Sequence, residues 1–268
     1  MRIVVCIKEV LDPDAVNNYA LAGRLEIGDD GKTLTQTTIP QLMNGFDEQA
    51  IEASLRLRDA GADCTICVVS VGADPGVPLR HAAALGADEV AALTPPVPAP
   101  DSHTVASLLA GYIQSLGGAD LVLCGRQASD DDQGVVPALI GEMLGMPVVA
   151  IARSVELGDT ATLRITRVTP DGDEVVEAAA PAVVTISNEL GDPRYPTAAA
   201  KLKARRVKPS VFTHEDLSLE SNALTPRVVL TRQFVPTVQG NCEFIAGDTP
   251  AELADRLMAR LREDKLLA

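Results

Sequence analysis

The sequence has no tryptophan, four phenylalanines and three tyrosines in 268 residues. So few rings exclude a surface that binds single-stranded nucleic acid by stacking bases. Cations are also scarce. Twenty-three Lys and Arg stand against 37 Asp and Glu, for a net charge of −14. That balance excludes nucleic-acid binding, which cations drive, and opposes adsorption to an anionic membrane surface. No run of 18 apolar residues occurs, so no direct membrane insertion is expected. Only His81, His103 and His214 supply imidazoles, and none has a ligand-like neighbour, which argues against zinc. The opening MRIVVCIKEV lacks the basic flank and cleavage site of a signal peptide. Five cysteines, an odd number, sit mostly inside apolar runs. They read as free thiols in a reducing compartment, so a cytoplasmic location is expected.

Catalytic signatures are missing too. There is no Ser/His/Asp set, no HExxH, no GxGxxG and no Walker lysine motif. A free-standing enzyme is therefore the least supported class. Cys64 and Cys67 have CxxC spacing, but Thr65 and Ile66 between them and Val68 and Val69 after them read as strand. Odd spacing on a strand puts the two thiols on opposite faces.

What is present is a core of aliphatic residues. Apolar residues make up 46% and charged residues 22%, an ordinary globular balance. Apolar runs at 2–8, 64–71, 89–93 and 120–124 alternate with amphipathic stretches at 44–58, 76–86, 101–116 and 133–145. Asn44 is the expected cap of the first helix, and 24–38 suggest a hairpin. Strands apolar on both faces and separated by helices predict an α/β fold with a doubly wound, mostly parallel, Rossmann-like sheet. After residue 147 the pattern turns to β-rich segments with a turn at 170–172. A basic run follows: Lys201, Lys203, Arg205, Arg206 and Lys208. From about 210 the chain is polar until an amphipathic helix over 250–264. The expected organisation is a nucleotide-binding domain over 1–209, including a docking loop at about 188–205, and a C-terminal arm over 210–268.

In an open parallel sheet a ligand sits beyond the C-terminal strand ends. The ends here are Cys6-Ile7-Lys8, Asn44 to Asp47, Ser70-Val71-Gly72, and Gly125 to Gly134. The last is the richest. Gly125 lets backbone approach a ligand, and the helix after Asp132 offers N–H groups suited to phosphate. One aspartate of Asp130, Asp131 and Asp132 is expected to cap that helix, another to accept from ribose hydroxyls, and Arg126 to offset the charge. The bland alternative is a solvated turn. For the basic run it is a solvated helix face, weighed against a partner-docking patch.

These segments resemble the β subunit of electron transfer flavoprotein over nearly the whole chain. IVVCIKEV is similar to that family's first strand, and MNGFDEQAIEASLRLRD resembles its NP[FY][DC]E helix. DLVLCGRQASDDD resembles its nucleotide loop, and PAVVTISNELGDPRYPT its strand followed by N-x-P-R-Y.

The resemblance implies a heterodimer with an α subunit that carries FAD. Electrons would pass from a dehydrogenase donor through that FAD to a quinone oxidoreductase or other acceptor, and the arm would pack on the α subunit. It further implies AMP, held structurally, in this chain's own pocket. In an electron-bifurcating branch FAD fills that pocket, with NADH as donor. Carried over by position, the cofactor-binding residues are Cys6, Asn44, Gly45, Phe46, Asp47, Val71, Gly125, Arg126, Gln127, Ala128, Ser129, Asp130, Asp131, Asp132, Gln133, Gly134, Val135 and Val136. The partner-docking residues are Pro193, Arg194, Tyr195, Ala198, Lys201, Lys203 and Arg205.

Three departures stand out. Gly45 replaces the family's proline. Gln133 to Pro137 lacks the usual polar side chain and glycine beside the phosphate, and Asp131 replaces a glycine of the bifurcating branch. Ala198 stands where the docking loop often carries a leucine. A different class, a universal-stress-type nucleotide-binding homodimer, would share the fold but end with its last core strand.

Overall fold

The computed structural model describes residues 1–35, 38–97, 99–159, 162–236 and 242–267. Within the first 233 residues, aliphatic strands and amphipathic helices alternate in the predicted order. They are β1 (Arg2–Ile7), β2 (Glu9–Leu11), α1 (Pro13–Leu21), β3 (Gln41–Met43), α2 (Gly45–Asp59), β4 (Thr65–Val71), α3 (Gly76–Leu85), β5 (Glu89–Leu93), α4 (Ser102–Ser115), β6 (Leu121–Gly125) and α5 (Val136–Leu144). Then come β7 (Val148–Leu157), β8 (Thr162–Thr169), β9 (Gly172–Ala179), β10 (Ala182–Ile186), α6 (Ala198–Ala204) and β11 (Ser210–Phe212).

One nine-stranded sheet has the order β11-β5-β4-β1-β6-β10-β7-β8-β9. Six neighbouring pairs run parallel, while β7, β8 and β9 form an antiparallel meander at one edge. Alternation along β1 explains the two layers. Ile3, Val5 and Ile7 join a core with Ile51 and Leu55 of α2 and Leu79 of α3. Val4 and Cys6 join another with Leu108 and Ile113 of α4 and Ile140 of α5. Both faces are buried, as a parallel sheet requires. The sequence departs from β1 toward β4 and β5, then returns to β6 on the other side of β1. That reversal opens a crevice beyond the ends of β1 and β6.

Several expectations change in detail. Cys64 precedes β4 and packs on the α2 side, while Cys67 faces the α4 side, so the CxxC pair is indeed split by the sheet. The 24–38 hairpin reduces to one antiparallel bridge, Ile27 with Leu34, among the described residues. Helix α5 starts at Val136 rather than 133, because Asp132 and Gly134 adopt positive φ, 52° and 60°, and the chain is still turning there.

The arm expected from residue 210 leaves the compact unit later. β11 pairs with β5, and Leu217 and Leu224 are buried against α4. The side chain of Asp101 caps α4 at Thr104 N and also accepts the backbone N–H groups of Arg227 and Val228. The first unit ends at Gln233 and a second comprises 234–268. The second unit holds α7 (Pro250–Glu263), capped by Thr249 and burying none of its residues. Leu253 and Leu257 lie on its apolar stripe, and Arg256 donates to the carbonyl of Ala246.

Candidate functional site

A cavity of about 460 Å³ opens at the crevice beyond β1 and β6, within the usual range for small-molecule sites. Cys6, Ile7 and Lys8 come from the end of β1, Val71 and Gly72 from β4, Cys124 and Gly125 from β6. Val105 and Leu109 of α4 form an apolar wall, and the Pro-rich loop adds Pro95, Ala99 and Pro100. The 127–137 segment completes the lining.

That segment is held by the first turn of α2. Asn44 is buried at the N-cap position, yet its side chain makes no cap bond. It donates instead to the carbonyl of Gln127 at 2.8 Å and accepts from Ser129 N at 3.2 Å. Asp47, 5% exposed, accepts from the backbone N–H groups of Lys8 at 2.7 Å and Gly125 at 3.0 Å. Burial pushes the Asp47 carboxyl up to about 7, against the pull of those donors and of Asn44. Gly125 is glycine for this contact. A Cβ there would lie 2.4 Å from Asp47 Oδ1 and 2.8 Å from the Phe46 carbonyl carbon. Beyond its place on the cavity wall, Gly125 makes room for α2.

The aspartates also differ from expectation. None caps α5, whose N-cap is Val135 with no side-chain bond. Asp130 and Asp131 take the ammonium of Lys8 at 2.7 and 3.1 Å, and Asp132 accepts from Gln127 Nε2 at 2.7 Å. Burial disfavours the charge on Lys8, but the two carboxylates outweigh it and raise its pKa. Arg126 does not offset the aspartates. It donates to Ser187 Oγ at 3.2 Å and lies 5.1 Å above the Phe46 ring. The charge-balancing cation is Lys8, which stands at a strand end flagged in the sequence but was not counted among the site residues. With no capping carboxylate, the backbone N–H groups of Val136 and Ala138 have no partner within α5, and Pro137 has none to offer. Val135, Val136 and Pro137 line the cavity, so a bare helix N-terminus faces it.

Of the residues predicted for the cofactor, Cys6, Asn44, Asp47, Val71, Gly125, Gln127, Ala128, Asp130, Asp131, Gln133, Gly134, Val135 and Val136 line this cavity. Gly45, Phe46 and Ser129 line instead a shallower groove on the other side of the α2 turn, with Asn44 shared between the two. Arg126 and Asp132 line neither. The sequence reading missed Lys8, Ser102, Val105, Leu109, Cys124 and Pro137. The helical spacing of Val105 and Leu109 marked only a buried face. Ser102 donates to Gln133 Oε1 at 2.9 Å, tying α4 to the loop.

The docking residues separate as well. Arg194 is engaged within the chain: it bonds Glu52 Oε2 at 2.7 Å and Asp59 Oδ2 at 2.7 Å. The Glu52 side chain is only 6% exposed. Its burial is outweighed by Arg194 and Arg56, which hold its carboxyl below the ordinary value. Arg194 therefore anchors the loop on α2. Pro193 lines the shallow groove, and Tyr195 is 90% exposed. Ala198, Lys201 and Lys203 lie on α6 with Arg205 at its end, and these three cations form no ion pair among the described residues.

Residues 32–216 match the family described as "Electron transfer flavoprotein domain". The chain belongs to the electron transfer flavoprotein family, and within it to the β subunits. It is 33% identical to an electron transfer flavoprotein subunit beta of Clostridium acetobutylicum, over 98% of this chain and 99% of that one. It is 35% identical to the corresponding subunit of Thermoanaerobacterium thermosaccharolyticum over 84% and 83%. It is 32% identical over the full length of both chains to a caffeyl-CoA reductase-Etf complex subunit CarD of Acetobacterium woodii. Membership means electron transfer, and a β subunit implies an α partner. Among the described residues no helix is long and apolar enough to cross a membrane.

Proposed function

We propose that this chain is the nucleotide-holding β subunit of a heterodimer, with AMP as a structural ligand in the cavity and FAD in the α subunit. That FAD shuttles electrons from a dehydrogenase to a quinone-linked or other acceptor. The observation that carries the AMP reading is the bare N-terminus of α5 on the cavity wall. Unpartnered N–H groups and the positive end of the helix dipole suit a phosphate. They compensate for the polar side chain and glycine missing from Gln133 to Pro137. The apolar wall of Val105 and Leu109 suits a base, and Asp130, Asp131 and Glu9 at the rim suit ribose hydroxyls.

The same residues fit a larger dinucleotide less well. A dinucleotide must seat two phosphate groups where AMP seats one, and Lys8 is the only cationic side chain on the cavity wall among the described residues. One observation keeps the FAD version in play as the second reading: the full-length likeness to a subunit of a caffeyl-CoA reductase-Etf complex. In that version the chain works within a reductase complex, with FAD in this pocket and NADH as donor.

The exposed α6 cations support docking to a donor, and the unburied apolar stripe of α7 supports contact between the arm and the α subunit.

Titration of AMP into the nucleotide-stripped heterodimer tests the reading. Saturable one-site binding is expected, and Val135→Asp, which sets a carboxylate over the bare N–H groups, should abolish it. Absence of AMP binding to the unaltered protein would overturn it.

A further inference from the structure

Two thiols share the floor of the cavity. Cys6 of β1 and Cys124 of β6 are direct register partners in a parallel strand pair. Such partners project to the same face about 4.8 Å apart. Both belong to the core on the α4 side, both are free and both line the cavity. No other pair of cysteines is placed this way among the described residues. Cys67 pairs with Val4 and donates its S–H to Glu89 at 3.3 Å. Cys64 packs on the opposite face of the sheet, and Cys242 belongs to the second unit.

The environment favours the protonated form of Cys124. A hydrogen bond with Cys6, together with burial, raises the Cys124 thiol well above its ordinary value. Reactions that need a preformed thiolate are therefore suppressed. A soft centre that takes two sulfurs at once suits the geometry better. Trivalent arsenic bound to one carbon and one oxygen is such a centre. Two S–As bonds form, the As–O bond breaks, and the oxygen leaves as water with both thiol protons. No oxidation state changes, and no further reactant is needed.

We infer that Cys6 and Cys124 form a paired-thiol site that chelates a trivalent organoarsenical at the cavity floor, in space that a nucleotide also needs. The second clause rests on the AMP reading; the first does not.

The test uses the full chain co-purified with its flavin subunit, with phenylarsine oxide as the probe. After treatment the complex is denatured, alkylated with N-ethylmaleimide and mapped by peptide mass. Joint loss of alkylation at Cys6 and Cys124 is expected, with Cys64, Cys67 and Cys242 labelled as before. The protection should survive excess 2-mercaptoethanol and be reversed by 2,3-dimercaptopropanol. Unchanged labelling, protection of one of the two alone, or protection of Cys64 with Cys67 would overturn the site. Cys6→Ala and Cys124→Ala should each weaken retention by about a hundredfold, the loss expected when one arm of a chelate is removed. Because mapping the unaltered protein needs no variant, a variant that misfolds does not decide the matter. Chelation should also release AMP. Protected thiols with AMP still bound would leave the dithiol site standing and overturn the claim of shared space.

Discussion

The Asp47 carboxylate accepts the backbone N–H of Gly125 at 3.0 Å and that of Lys8 at 2.7 Å. One side chain from the first turn of α2 thus holds together the ends of β1 and β6, the two strands between which the cavity opens. Asn44, three residues earlier, holds the following loop at Gln127 and Ser129. The cavity side of the molecule is built on this turn.

Asp47→Ala should cost about 2–5 kcal/mol, because two buried N–H groups lose their acceptor at once. A fall in Tm of the purified heterodimer measures this. A loss below about 0.5 kcal/mol would show that water replaces the carboxylate without strain.

The same carboxyl gives a pH signature. Its folded value is about 7, against 3.8 for the free group, so between those values the native chain holds a proton that the unfolded chain has released. Its contribution is fully present below about pH 4 and is lost as pH rises through about 7. Asp101 has the opposite sign. Burial opposes its charge, but the N–H groups of Thr104, Arg227 and Val228 win and lower it to about 2. Its contribution is present above about pH 4 and is lost as pH falls toward 2. Denaturant melts at several pH values should show Asp47→Asn flattening the decline between pH 4 and 7, and Asp101→Asn flattening the acid limb.

Gly125→Ala should destabilise by about 1–3 kcal/mol through overpacking, since the new methyl meets Asp47 and the Phe46 backbone. Nucleotide would be lost through displacement of α2, not through filling of the cavity. Measured stability should therefore fall even in nucleotide-stripped protein; unchanged stability there would contradict this placement.

Two ion pairs should behave differently. Arg194→Ala leaves the buried Glu52 with only Arg56 and should cost about 2–3 kcal/mol, below the usual loss for a fully buried pair because one partner stays and Arg194 is itself 36% exposed. Lys8→Ala breaks a pair that is about 40% exposed on both sides. It should cost under about 1 kcal/mol of stability while lowering AMP affinity, because the rim loses its cation. Chemical denaturation and AMP titration of the two variants separate these effects.

Ala198→Leu restores an apolar anchor worth about 1.5–3 kcal/mol when fully buried. Affinity for a standard acyl-CoA dehydrogenase should rise by roughly tenfold or more in titrations of electron transfer, if α6 is the docking element. Unchanged affinity would move docking elsewhere.

The fold was legible because its signals are local and redundant. Aliphatic runs such as RIVVCI and TICVVSV stand between helices at 3.6-residue spacing, and little else fits that alternation. The failures share a cause. Asn44 stands at the N-cap position the sequence marks, but its side chain bonds Gln127 and Ser129, more than 80 residues away. No aspartate caps α5: Asp130 and Asp131 reach Lys8 across the sheet and Asp132 takes Gln127 in its own loop, in contacts that spacing does not encode. Lys8 was visible at a strand end, yet its pairing with Asp130 and Asp131, 122 and 123 residues on, needed the sheet order. β11 was illegible because three residues of a polar tail carry no period, and its register with β5 supplies the strand.

Co-purified ligand gives the most direct test. The heterodimer is isolated without added nucleotide and denatured, and the released species are identified and counted by chromatography and mass. The account predicts one FAD and one AMP per heterodimer. Two FAD and no AMP would contradict it, and would mean that the loop from Gln133 to Pro137 accommodates a dinucleotide after all.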